Sequence, residues 1–133
     1  MRLIFLLSII YFSSCAKENT AEESNRLTQT INYNDIDVDV VIDMPAINEV
    51  DVLLVFHGTV LYDSNLMTAA NTTLDKFKGI LDRNDMMIVS VAYPQENVLL
   101  GDSIIQCEAA LLWLKNNASQ ELGITVNKIF LAG

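Results

Sequence analysis

An open α/β sheet is the fold class this sequence predicts, with a two-strand antiparallel lead-in followed by β-α-β-α-β. Three observations predict it. Val52–Phe56, Met86–Tyr93 and Ile129–Ala132 are short runs that are almost wholly apolar, the character of strands covered on both faces. Two longer segments lie between them with apolar residues at three-and-four spacing, as amphipathic helices require. Ahead of these, Asp35–Val40 alternates strictly at the start of the strand Ile36–Ile42, so one face there is wet. Strands alternating with helices imply a parallel sheet with helices on both faces.

The elements follow in order. Leu27–Tyr33 and Ile36–Ile42 are separated by Asn34-Asp35, a good turn pair. In the second strand Ile36, Val38 and Val40 oppose Asp35, Asp37 and Asp39. That carboxylate row is a solvated face and not a calcium loop, because Val40 replaces the required glycine and Ala46 the bidentate glutamate. Met44-Pro45 ends the strand, and Asp51–Phe56 forms the third. The spacing predicts a helix over Leu66–Arg83, with Leu66, Ala70, Leu74, Phe77, Ile80 and Leu81 on its apolar face. Asn84-Asp85 closes it. Met86–Tyr93 is the fourth strand, stopped by Pro94. Asp102 is the expected N-cap of the next helix, since a carboxylate there can accept an orphan amide. That helix runs past Lys115, Trp113 fills a broad interface, and Asn116, Asn117 and Gly123 mark its end.

With 133 residues, the chain suits one modest domain. Seventeen acidic residues against eight basic ones give a net charge of −9. That balance excludes an electrostatic footprint for nucleic acid and charge-driven attachment to an anionic membrane. At the start, Arg2 precedes the apolar run Leu3–Phe12 and then Ser13-Ser14-Cys15. The run is too short to span a bilayer and has the build of a secretory signal. Cysteine directly after two small residues resembles a bacterial lipoprotein box, although a plain secretory signal would also fit. The expected division is a signal over residues 1–14, a lipidated Cys15 with a polar tether over 15–26, and the domain over 27–133. The implied location is the cell envelope, facing outside the cytoplasm, with the bilayer as a partner through fatty-acyl groups such as palmitate on Cys15. Cys107 then has no intrachain partner and reads as a small buried side chain.

Four features in order carry a family resemblance: the lead-in hairpin, the strand ending in His57-Gly58, the strand ending in Tyr93-Pro94, and the closing Leu131-Ala132-Gly133. Over residues 27–133 they resemble the N-terminal part of the α/β-hydrolase superfamily, in particular secreted esterases, peptidases and polyester depolymerases. The resemblance implies a sheet ordered 1-2-4-3-5 and a fold interrupted after its fifth strand. It implies an oxyanion-hole amide from Thr59, or from Val60 if the loop is one residue longer, and a nucleophile elbow that begins at Gly133. The elbow serine would follow Gly133, so no catalytic residue is expected within the chain. The implied substrates are small-molecule or peptide esters and amides, with no cofactor.

In this family the base follows the nucleophile in the chain, whereas His57 precedes it. With Gly58 it is therefore expected to hold the oxyanion loop, and no second histidine or paired cysteine exists to share a metal. Ser64, Ser90, Ser103 and Ser119 lack an elbow setting and a placed base. Tyr93, at a strand's carboxyl end, is expected to line the cleft or simply to pack. No glycine-rich phosphate loop follows any strand, which disfavours nucleotide binding. Two functions remain: the front of an anchored serine hydrolase, and a non-catalytic binding or scaffolding lipoprotein of the same architecture.

Overall fold

A computed structural model describes residues 25–81 and 83–133. The expected signal over 1–14, Cys15 and most of the tether lie outside the described residues. The strands are β1 (Arg26–Tyr33), β2 (Ile36–Asp43), β3 (Glu49–Phe56), β4 (Met86–Ala92) and β5 (Thr125–Ala132). They form one mixed sheet ordered β1-β2-β4-β3-β5, the order expected. β1 and β2 pair antiparallel through a two-residue turn. Asn34 and Asp35 both have positive φ, 50° and 63°, the geometry that matches the natural twist of a hairpin. β2 runs antiparallel to β4, while β3 is parallel to both β4 and β5.

Helix α1 (Leu66–Ile80) connects β3 to β4, and α2 (Leu100–Asn116) with the short α3 (Ala118–Leu122) connects β4 to β5. β4 lies on one side of β3 and β5 on the other. Crossovers of one hand that travel in opposite directions put their helices on opposite faces. The core divides accordingly. Ala70 and Leu74 of α1 pack with Val41, Leu53, Val55 and Ile88. Trp113, Leu114 and Ala110 of α2 pack with Val40, Ile42, Leu54 and Val89 on the other face. Every residue of β4 is buried, which is why its sequence shows no alternation. Trp113 is fully buried, and its indole N–H donates to Glu121 Oε2 at 3.0 Å.

Some boundaries differ from the sequence reading. α1 stops at Ile80, so Leu81 is its C-cap and Ile80 is exposed. Asp102 is not the N-cap of α2. That position belongs to Leu99, and the Asp102 carboxylate reaches back to accept the Leu99 N–H at 3.2 Å. The carboxylate still satisfies an orphan donor, from three positions further on. β5 begins at Thr125, not Ile129, with an irregularity opposite Val50–Val52. The extra residue hides its apolar pattern from a period-two reading.

Candidate active site

The carboxyl ends of β3 and β4 lie side by side, Phe56 opposite Val91, and their loops leave toward opposite faces. This is the switch point at which open α/β sheets bind ligands. β5 ends at the same edge, and a Cβ added to Gly133 would stand 3.4 Å from Phe56 Cβ. His57, Gly58, Thr59, Tyr93 and Gly133 therefore share one edge of the sheet.

His57 is buried, 3% exposed, with its ring stacked on Tyr93 at 4.1 Å and 6° between planes. The Tyr93 hydroxyl donates to the His57 carbonyl. Burial pushes the Tyr93 phenol above its ordinary value, helped by neighbouring Cys107 and opposed by Gln95, so at neutral pH it keeps the proton it donates. Cys107 itself is half-buried, its thiol pushed up to about 11 by burial, which makes it an inert thiol. Tyr93 thus spends its ring and its hydroxyl on the end of β3.

His57 Nδ1 lies 2.7 Å from the Gly58 carbonyl oxygen. A carbonyl only accepts, so Nδ1 carries a hydrogen and donates it. Nε2 is buried without a partner among the described residues. The contact at Nδ1 has a consequence one residue on. In a trans peptide the C=O and the following N–H point in opposite directions. Fixing the Gly58 carbonyl toward the imidazole therefore aims the Thr59 N–H away from it. Thr59 is exposed, and its N–H has no hydrogen-bond partner among the described residues. The other candidate amide is engaged: Val60 N–H donates to Gln95 Oε1 at 2.7 Å.

Gly58 does not need glycine's conformational range. Its φ is not positive, and an added Cβ would meet nothing within 4 Å. Its value here is open space beside the amide.

A second set of bonds, not anticipated from sequence, ties the β3 and β4 loops together. Asp63 Oδ1 accepts the N–H groups of Gln95 at 3.0 Å and Glu96 at 2.9 Å. Glu96 Oε2 accepts the Asp63 N–H at 3.0 Å in return. The two amides hold the Asp63 carboxyl below its ordinary value. Ser103 Oγ, from the first turn of α2, donates to the Pro94 carbonyl at 2.7 Å. The available signal was a cluster of short polar residues in loops at strand carboxyl ends, which gives no partner.

The remaining serines stand apart from any nucleophile role. Ser64 is exposed in a single 3₁₀ turn, Ser90 is sealed within β4, and the Ser119 hydroxyl accepts the Val126 N–H. Among the described residues no group of three side chains is placed to hold a metal.

A cavity of about 500 Å³ opens at the opposite edge, lined by Asn25, Asp43, Lys78, Arg83 and Met86 among others. Its charges are mutually satisfied, Lys78 Nζ standing 2.9 Å from Asp43 Oδ2 and Arg83 Nε 2.8 Å from Asp85 Oδ1. The open amide and the buried imidazole nitrogen are both at the carboxyl edge, so the candidate site is placed there and not at the cavity.

The fold and this edge define an α/β domain with a braced loop presenting a backbone amide. Its fold is similar to a solved structure of an arylesterase, with a TM-score of 0.50 at 18% sequence identity over 80% of this chain. The chain spans 34% of that arylesterase's length. No protein-family model matches the chain, and no curated protein matches its sequence. The likeness concerns the fold alone, an α/β domain built on a mixed five-stranded sheet.

Proposed function

We propose that this chain is the N-terminal part of a serine hydrolase acting on carboxylic esters or peptides, and that it supplies half of the oxyanion hole. The observation that carries this is the Thr59 N–H, partnerless among the described residues, at the carboxyl end of β3 and oriented by the His57–Gly58 contact. A preorganised donor of this kind is typically worth about 2.7–4 kcal/mol in acyl transfer. The arylesterase likeness, spanning about a third of that protein, supports the fold and leaves room for an elbow serine, an acid and a base elsewhere. The lipoprotein-like residues Ser13-Ser14-Cys15 support an envelope protein anchored through Cys15. No helix among the described residues is long and apolar enough to cross a membrane.

The test is to compare residues 16–133 with the product of the longer reading frame on activated esters. The short form is expected to show no enzymatic turnover and the longer form to show it. A silent longer form would favour the non-catalytic lipoprotein instead. Cys15→Ala checks the anchor, with loss of fatty-acyl labelling expected.

A further inference from the structure

We propose that Gln95 is the positioning residue that decides which of the two candidate oxyanion amides is free, by holding Val60 N–H so that Thr59 N–H is the open one of the pair. The role assigned to that donor rests on the hydrolase reading. The bond that assigns it does not.

The bonds form a short arch with both feet fixed. One foot is His57, whose carbonyl accepts the Tyr93 hydroxyl and whose ring is stacked on Tyr93. The other is Val60, whose N–H is held by Gln95 Oε1 at 2.7 Å. Gly58 and Thr59 alone lie between them. Gln95 can act as a fixed foot because its own backbone is held, its N–H donating to Asp63 Oδ1 at 3.0 Å. Asp63 is in turn tied to Glu96 in both directions. The Gln95 side chain thus reaches Val60 from a pinned backbone, so the contact needs only its own rotamers fixed.

A carboxamide oxygen is also chemically a carbonyl oxygen. While Gln95 occupies Val60 N–H, a substrate carbonyl finds that donor taken and Thr59 open. This settles a choice that loop length alone left between two adjacent residues. Removing Gln95 would free the second amide and loosen the first, and a positional error near 1 Å can cost about 10²-fold in rate.

The experiment is residue-resolved amide exchange by NMR on the full chain, uniformly ¹⁵N-labelled. Gln95→Ala is expected to speed exchange at Val60 about fivefold, the change a typical hydrogen bond sustains, and to leave core amides such as Leu54 unchanged. Gln95→Glu retains an acceptor and is expected to keep Val60 protected. In the longer, active form, Gln95→Ala should lower kcat by about 10²-fold with little change in KM, and Gln95→Glu should recover most of it. Unaltered Val60 exchange in Gln95→Ala would overturn the assignment, as would wild-type kcat in that variant. Val60 protection that depends on Gln95, in a longer form silent on every ester, would support the assignment and sink the hydrolase reading.

Discussion

The two edges of the sheet use their charged and polar side chains in opposite ways. At the carboxyl edge Asp63, Glu96 and Gln95 are bonded to backbone amides, and the result is a braced loop in which Val60 N–H is taken and Thr59 N–H is not. At the other edge Lys78 and Asp43, and Arg83 and Asp85, satisfy one another beside a cavity of about 500 Å³. The difference teaches that the volume of a cavity and its chemical capacity are separate properties. An unpartnered donor held in place by its neighbours can act on a substrate, whereas charges that pair with one another are already engaged.

The largest effect expected in testing that contrast comes from the α2-side core, which packs on strands that run to both edges. Trp113→Ala should cost about 3–5 kcal/mol in chemical denaturation, because the indole is fully buried and bonded to Glu121. Both edges should lose amide protection together. Loss confined to one edge would show that they rest on separate cores.

A smaller effect should follow at the cavity edge. Asp43→Ala removes the partner of Lys78, but that lysine is half exposed and returns to water, so the expected cost is about 1 kcal/mol. Melting should register it, while the amides of Gln95 and Glu96 stay protected. Loosening of those amides would join the two edges energetically.

The smallest effect is local and pH-dependent. Asp63 titrates below its ordinary value because Glu96 and Gln95 donate to it. A depressed carboxyl contributes stability that is present above its unfolded value and is lost as pH falls through the lower folded value. Amide exchange of Gln95 and Glu96, corrected for intrinsic rates, should therefore quicken only below the ordinary carboxylate range. Loss of protection nearer neutral pH would assign the clamp to a different group.

The fold was largely legible before the structure. Buried strands on both sides of a sheet have no reason to alternate, so Val52–Phe56 and Met86–Val91 announce central positions. The Asn34-Asp35 pair announces its hairpin. Boundaries were less legible where a side chain acts at a distance of a few residues, as Asp102 does on Leu99, or where an irregularity breaks the period, as in β5. The expected lipidation of Cys15 lies outside the described residues and stands on sequence alone.

At the candidate site, His57, Gly58, Thr59 and Tyr93 were identified as residues, and their division of labour was not. Local chemistry by itself determined the element types, the acidic solvated face of β2 and the strand ends from which the loops leave. Only the tertiary structure decided that Tyr93 supports His57, that Gln95 takes Val60 and that Thr59 is left open. The physical reason is range. Periodicity and turn chemistry act within one element, where each residue constrains the next few. The bond from Val60 to Gln95 joins residues 35 apart, and nothing in either residue's own neighbourhood encodes the meeting. It exists because β3 and β4 pair in parallel and bring their carboxyl ends to the same edge.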